Sequence, residues 1–169
     1  MKTVVNHLAD RGYHRLTFAG VMKPGDDRAK ERRKGFLDAH GERFPGVEPQ
    51  VVTVASDSMI MATGAELLDL VRATYPETDA IVFTSDVLAS GAVLRCNDLG
   101  VRVPADLAIT GFGNYDIAGH LRPSLTTVAI ASRRIGMLSA ELLLARMQNK
   151  PVTERVIDIG FELLVRDSS

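Results

Sequence analysis

The chain has 169 residues, of which 46% are apolar and 24% charged, and its net charge is −1. This size supports one domain with a substantial core, and the balanced charge excludes the basic surface of a direct nucleic-acid binder. A single cysteine, Cys96, excludes an internal disulfide and is typical of a reducing compartment. Because no apolar run is long enough to span a bilayer and no signal-peptide core follows Met1, we expect a cytoplasmic protein with no membrane partner.

The first half of the chain alternates between helical and extended patterns. Apolar side chains recur at helical spacing over 3–11, 28–40 and 62–74, whereas 15–20 and 51–55 are typical of buried strands. Helices that alternate with strands form right-handed crossovers. The pattern therefore predicts a mostly parallel sheet flanked by helices, which is an α/β fold.

The middle of the chain carries the strongest indication of a binding site. A buried strand over 80–84 meets the polar pair Ser85-Asp86, and the helix that follows ends at Gly100. A second buried strand over 107–110 stops at the corner Gly111-Phe112-Gly113-Asn114. Ligands of parallel α/β sheets bind at the carboxyl ends of the strands, so the two corners predict a small-molecule site.

The last part of the chain has a different pattern. The segment 133–148 predicts a strongly apolar helix, whose side chains need partners on more than one side. The sequence Asn149-Lys150-Pro151 ends this helix. Beyond it, 156–159 and 161–165 predict a final strand pair or one bent strand.

These pieces occur in an order typical of one family. An Arg-x-x-Gly-aromatic helix contains Arg32 and Gly35-Phe36. The block that follows contains Asp86, Ala89, Gly91, Gly100, Val103-Pro104, Asp106, Gly111-Phe112, Pro123 and Leu125-Thr126-Thr127. From about His7 to Arg166, the chain resembles the effector-binding core of the lactose/galactose repressor family, and its GFG corner with LTTVAI resembles the gluconate-operon repressor branch. The resemblance implies a periplasmic-binding-protein-like fold.

The core of that family consists of two similar lobes joined by three crossings of the chain, and a helix-turn-helix headpiece precedes it. By this resemblance, residues 1–130 correspond to the C-terminal lobe, 131–150 to a helix of the N-terminal lobe, and 151–169 to the final strands of the C-terminal lobe. The headpiece and most of the first lobe have no counterpart, so we expect a fragment. The apolar helix would then lack its native packing surface and find another in a homodimer.

The resemblance also assigns an effector site. Arg32 corresponds to the arginine that grips the effector, and Ser85-Asp86 to a corner whose first residue contacts ligand hydroxyls. Asp86 would act partly as a ligand anchor and partly as the cap of the helix that follows. Arg32 lies in a basic helix that solvation alone would explain. Met59 occupies the position of a stacking aromatic residue, where a thioether gives a softer and more adaptable contact.

Gly113 is the main departure from the sugar-binding relatives, which carry there an aspartate that accepts hydrogen bonds from sugar hydroxyls. Without that negative charge and with Arg32 present, the pocket favours an anion. We therefore expect a sugar acid such as gluconate, or a phosphorylated sugar. Ile130 replaces a ligand-contacting glutamine of some relatives, which also disfavours a neutral sugar. Alternatively, Gly113 only permits a positive-φ turn, and Asn114 or Asp116 takes over the lost contact.

The sequence contains no recognisable catalytic or metal-binding pattern. Its four histidines lack metal-ligand spacing, and no nucleophile elbow, P-loop or complete GxGxxG occurs. We expect no cofactor and no enzymatic activity, but the effector-sensing part of a repressor that reaches operator DNA through a headpiece missing here. The resemblance places Val87, Leu88 and Tyr115 in a homodimer interface. The alternatives are a periplasmic sugar-binding protein of a transporter and a stand-alone flavodoxin-like domain.

Overall fold

The structure, a computed structural model, describes residues 1–56, 58–152 and 156–169. The strands of these residues are β1 (Leu16–Val21), β2 (Gln50–Val54), β3 (Ala80–Phe83), β4 (Ala108–Gly113), β5 (Thr126–Ile130) and β6 (Phe161–Leu164). They form one sheet in the order β2-β1-β3-β4-β5-β6. The first five strands are parallel to their neighbours and β6 is antiparallel to β5. The predicted mostly parallel α/β fold is confirmed.

Helices lie on both faces of this sheet. They are α1 (Lys2–Asp10), α2 (Asp27–Arg43), α3 (Met61–Thr74), α4 (Asp86–Leu99), α5 (Asp116–His120) and α6 (Ser132–Met147). Alternate residues of the strands point to opposite faces and so build two cores. Val82 packs with Phe18 and Phe36 beneath α1 and α2, whereas Ile81 and Phe83 pack beneath α3, α4 and α5.

Local chemistry fixes the beginnings and ends of the helices. The side chain of Asp26 accepts a hydrogen bond from the Ala29 amide at 3.1 Å and so caps α2. Gly100 ends α4 with φ of 68°, in the left-handed region where a residue without Cβ is unstrained. Where α3 crosses α4, Gly64 and Gly91 bring the two backbones together, because a Cβ at either position would overlap the other helix.

The sequence misplaced some elements. Strand β4 continues to Gly113 instead of stopping at 110, because Gly113 still pairs with Ala129 of β5. The sequence analysis did not predict α5, a helix of five residues too short to show a helical period. The segment 156–159 is not a strand, so β6 alone pairs with β5. The predicted unit 151–169 includes residues 153–155, which lie outside the described residues.

Helix α6 has no buried side chain. Ile135, Met137, Leu143, Leu144 and Met147 are each more than 40% exposed, although leucine and methionine normally lie inside proteins. The described residues therefore leave this apolar helix unpacked. No helix among them combines the length and the apolar character needed to cross a bilayer.

Candidate functional site

The carboxyl ends of β1, β3, β4 and β5 lie at one edge of the sheet. Between β1 and β3 the direction of strand addition reverses, since β2 follows β1 on one side and β3 lies on the other. Such a reversal opens a crevice at the carboxyl ends of the strands, which is where doubly wound sheets bind ligands. The predicted site residues Ser85, Asp86, Gly113 and Asn114 all lie at this edge.

Arg32 reaches this edge from α2. Its guanidinium carbon lies 4.2 Å from the centroid of the Phe112 ring, so a cation–π contact holds the side chain in place. Burial, and next the nearby charge of Arg28, lower the pKa of Arg32. Within the described residues Arg32 forms no salt bridge. It is therefore a half-buried cation, oriented by an aromatic ring and left without a carboxylate.

Asp86 is fully buried beneath the same corner. Its Oδ1 accepts a hydrogen bond from Thr127 Oγ1 at 2.5 Å, and its Oδ2 accepts one from the Tyr115 amide at 2.8 Å. Burial raises the pKa of Asp86, while these hydrogen bonds and the charge of Arg166 act in the opposite direction. Both carboxylate oxygens are engaged within the protein. The Asp86 side chain therefore has a structural role, because its hydrogen bonds fix Thr127 and the backbone at Tyr115.

The cap of α4 is Ser85 and not Asp86. The Ser85 hydroxyl accepts a hydrogen bond from the Val87 amide at 3.1 Å. Because a hydroxyl also carries a hydrogen, Ser85 retains one donor, although only 4% of the residue is exposed. Ser85 therefore has a structural role as the helix cap, and its remaining donor leaves room for a ligand contact as well.

Gly113 and Asn114 form a sharp corner with φ of 127° and 52° respectively. A Cβ at position 113 would lie 3.4 Å from the Tyr115 ring, and any side chain there would be strained at this φ. The exposed Asn114 donates its amide hydrogen to Thr127 Oγ1 at 3.3 Å and accepts a hydrogen bond on Oδ1 from Arg166 at 2.8 Å. The positive-φ turn expected at Gly113 is therefore present.

Next to this corner lies an open cavity of about 850 Å³. It is lined by Gly113, Asn114, Tyr115, Ile130, Ala131, Ser132, Arg133, Arg134 and Met137. Arginine is suited to two-pronged hydrogen bonding with carboxylates and phosphates. The two arginines of this cavity, Arg133 and Arg134, belong to α6, and the rest of its lining is largely apolar.

Met59 lies apart from this corner. It packs on the core beneath α3 and borders a second hollow of about 540 Å³, which is also lined by residues 23–28. That hollow flanks the start of α2, where Arg28 lowers and Asp26 raises the pKa of Arg32. The described contacts do not bring Met59 to Arg32 or to Asn114.

A family model described as a periplasmic binding protein-like domain matches residues 5–169. The chain belongs to this family. The match covers nearly the whole chain, and it agrees with the sheet order and with the fold that the sequence resemblance implied.

The curated relatives of this periplasmic binding protein-like domain include transcription regulators. The HTH-type transcriptional regulator GntR of Escherichia coli (strain K12) is 36% identical over 153 residues, which cover 90% of this chain and 45% of the relative. The regulator of the same name from Pseudomonas aeruginosa is 34% identical over 171 residues, covering 99% of this chain and 48% of the relative. The chain thus spans about half the length of these relatives.

Solved structures give the same result. The transcription regulator GntR from Chromobacterium violaceum is similar with a TM-score of 0.88 and 34% identity, covering 99% of this chain and 61% of that one. A LacI family transcriptional regulator from Silicibacter pomeroyi is similar with a TM-score of 0.84 and 29% identity, covering 99% and 60%. The resemblance to the lactose/galactose repressor family is confirmed, and a regulator is favoured over a transporter component.

Sequence reasoning missed three residues of the corner in this domain. The ring of Phe112 forms the cation–π contact with the guanidinium of Arg32. The hydroxyl of Thr127 donates a hydrogen bond to Asp86 and accepts one from the Asn114 backbone amide. The guanidinium of Arg166 donates a hydrogen bond to the Asn114 side-chain oxygen. Thr127 gave a usable signal, since a threonine pair in a buried apolar strand needs polar partners. Arg166 gave none, because it is 52 residues from Asn114 along the chain.

The residues predicted for a dimer interface differ in exposure. Tyr115 is 53% exposed and Val87 is half-buried, so both retain surface. Leu88 is 0% exposed and packs in the core between the sheet and α3, which corrects its assignment to the interface. A core leucine has no surface left for a partner.

Proposed function

We propose that this chain is the effector-sensing lobe of a cytoplasmic, non-enzymatic transcriptional repressor. The observation that carries the proposal is the convergence of Arg32, Asn114 and Tyr115 at the carboxyl edge of the sheet. Parallel α/β sheets bind small molecules at that edge. The similarity to transcription regulators across nearly the whole chain supports the same function.

The effector that this corner fits best is a sugar acid such as gluconate. Arg32 is half-buried and lacks a carboxylate partner among the described residues, and an anionic ligand would supply one. Position 113, which carries an aspartate in sugar-binding relatives, is a glycine here, so no charge at that position repels a carboxylate. The amide of Asn114 and the hydroxyl of Ser85 provide further polar contacts for ligand hydroxyls.

In the whole protein, effector binding between two lobes would alter how paired headpieces sit on operator DNA. The described parts of residues 1–130 and 151–169 would then form one lobe, and α6 would pack in the other lobe, which would account for its exposed leucines and methionines. Val87 and Tyr115 contribute to a homodimer face. The coupling is a population shift, so effector and operator each change the affinity of the other.

The effector is tested by titrating the isotope-labelled chain with gluconate, and separately with glucose at the same concentration and ionic strength. Because only one wall of a two-lobed cleft is present, we expect weak binding. The amide signals of Asn114 and Tyr115 should shift with gluconate and much less with glucose. Equal responses to the two compounds, or a preference for glucose, would rule out a sugar acid. A response only to a sugar phosphate would reassign the anion to a phosphate.

Two variants on α2 identify the contact. Arg32→Gln should reduce the response to gluconate about tenfold, the usual effect of losing a charge-assisted hydrogen bond. Arg33→Gln removes the same charge from an exposed neighbour and should leave the response unchanged. Similar losses in both variants would mean that the helix attracts anions by its charge alone.

The proposed regulatory function is tested by sequencing the DNA upstream of the Met1 codon. We expect an open frame upstream of the Met1 codon that encodes a helix-turn-helix and a second α/β lobe. An in-frame stop directly upstream would leave the lobe alone and would remove operator DNA from its partners.

A further inference from the structure

We propose that Arg166 is a positioning residue for the ligand-facing corner: it sets the orientation of the Asn114 side-chain amide, next to the buried Asp86. The relevance to effector binding rests on the proposed function, but the contacts themselves do not.

Arg166 follows β6 and joins the end of the chain to the corner. Its Nη1 donates to the Leu125 carbonyl at 2.7 Å, and its Nη2 donates to Asn114 Oδ1 at 2.8 Å. Its backbone amide donates to Thr126 Oγ1 at 2.9 Å. Two hydrogen bonds therefore fix the half-buried guanidinium at the sheet edge, and the third fixes the backbone that carries it. A lysine, with a single ammonium group, cannot reproduce the fork.

The bond to Asn114 determines what the corner offers a ligand. An asparagine amide has an accepting oxygen on one side and a donating nitrogen on the other. Because Arg166 has only donors, it must take the oxygen of Asn114, which turns the nitrogen away from Arg166. Within the described residues that nitrogen forms no hydrogen bond, and Asn114 lines the 850 Å³ cavity. The corner thus presents a donor, which suits a ligand carboxylate or hydroxyl.

Arg166 also acts on Asp86. Burial favours the neutral form of that carboxyl group, and the positive charge of Arg166 opposes this by favouring the charged form. A charged Asp86 accepts from both Thr127 and the Tyr115 amide, whereas a protonated one loses part of this capacity. Asp86 stabilises the corner through Thr127 and the Tyr115 amide, and Arg166 stabilises it through the Asn114 side chain. Losing Arg166 therefore weakens both sets of contacts.

The test uses the chain without effector and compares Arg166→Gln with Arg122→Gln. Arg122 also donates to a backbone carbonyl, that of Leu121, but no described hydrogen bond joins it to Asn114 or Asp86, so it is a matched charge control. In Arg166→Gln we expect a higher pKa of Asp86, followed by carboxyl carbon NMR, and changed chemical shifts of the Asn114 side-chain amide group. In Arg122→Gln both should equal the wild-type values. Wild-type values in Arg166→Gln would overturn the inference.

A second variant, Arg166→Lys, separates the effect of the positive charge from that of the guanidinium shape. It also keeps the test valid if the glutamine variant does not fold. Arg166→Lys keeps the charge, so the pKa of Asp86 should stay close to the wild-type value while the chemical shifts of the Asn114 side-chain amide change. Wild-type chemical shifts of the Asn114 side-chain amide in the lysine variant would show that the two-pronged guanidinium is not needed, and would overturn the positioning role.

Gluconate titration then addresses the proposed function separately. If wild type responds to gluconate, Arg166→Gln should reduce the Asn114 response about tenfold. If wild type does not respond although Arg166→Gln alters Asn114 and Asp86, the positioning role stands and the sugar-acid function fails. A wild-type gluconate response in Arg166→Gln would overturn the role of Arg166 in binding.

Discussion

Gly111 leaves the space that the Asp86 carboxylate occupies. A β-carbon at position 111 would overlap Asp86 Oδ1, and it would also crowd the Leu125 side chain. The buried acid and the strand glycine therefore belong together: β4 passes close to the start of α4 only because one residue lacks a side chain. This relationship explains a glycine in the middle of a buried strand, where it otherwise weakens the sheet.

Gly111→Ala should destabilise the fold by about 3 kcal/mol, because the methyl group must displace a hydrogen-bonded buried carboxylate. Urea unfolding followed by circular dichroism measures the change. Gly119→Ala is the control, since nothing lies within 4 Å of a Cβ at that exposed position of α5. It should be neutral or slightly stabilising. Equal stabilities of the two variants would mean that the Asp86 carboxylate can move away from the added methyl group at no cost, which would contradict the prediction.

Gly91→Ala should cost about 3 kcal/mol, because its methyl group would overlap the Met61 carbonyl oxygen and force α3 away from α4. The matched variant is Gly136→Ala in α6, where a Cβ meets nothing. Since alanine is the better helix former by about 1 kcal/mol, that variant should gain helicity. The two changes are chemically identical, but only Gly91→Ala should lower the thermal unfolding temperature; Gly136→Ala should leave it unchanged, because α6 is not packed on the fold. A stabilised Gly91→Ala would exclude the close helix contact.

Because of His40, the free energy of unfolding should be smaller in mild acid than at neutral pH. It is buried between Phe36 and Phe44, its Nδ1 has no hydrogen-bond partner within the described part of the chain, and burial lowers its pKa below 6.5. A lowered histidine pKa means that the folded state prefers the neutral ring. Its stabilisation is complete above pH 6.5 and is lost as the pH falls below it.

Urea unfolding between pH 7.5 and 5 tests this sign. His40→Leu should reduce the loss of stability towards acid, and the slope that remains should include His7, whose pKa burial and Arg11 also lower. His120→Gln, at an exposed position, should leave the wild-type slope unchanged. A steeper acid slope in His40→Leu would contradict the assignment.

Cys96 should be unreactive in the folded protein. The thiol is fully buried, and burial raises its pKa to about 11, so very little thiolate exists at pH 8. Alkylation by iodoacetamide at pH 8, followed by mass spectrometry, should proceed only in urea. Rapid labelling without denaturant would mean that α4 opens locally.

The sequence predicted the architecture better than the site. The strands β1 and β3 are short runs of buried residues, α3 has a helical pattern, and α4 is bounded by the Ser85-Asp86 corner and Gly100, so their positions were predicted to within one or two residues. Short elements such as α5 carry no period, and its position depends on the contact of Ala118 with the core. Local patterns cannot show such long-range contacts.

For the site, the pattern placed Ser85 and Asn114 at the right edge of the sheet but did not indicate which groups were already occupied. Asp86 was expected to be a cap or a ligand anchor. Its oxygens are instead filled by Thr127 and the Tyr115 amide, which come from two later parts of the chain. The roles of Phe112 and Arg166 likewise depend on contacts that only the folded sheet brings together.

The exposure of α6 divides this chain into two parts with different rates of hydrogen exchange. An isolated helix of 16 residues is only marginally stable in water, and α6 buries no side chain. Its amides should therefore exchange through local fraying within seconds, whereas amides of β1 and β3 wait for global unfolding. Any partner that covers the helix should slow its exchange first, so the protection of residues 132–147 measures assembly directly.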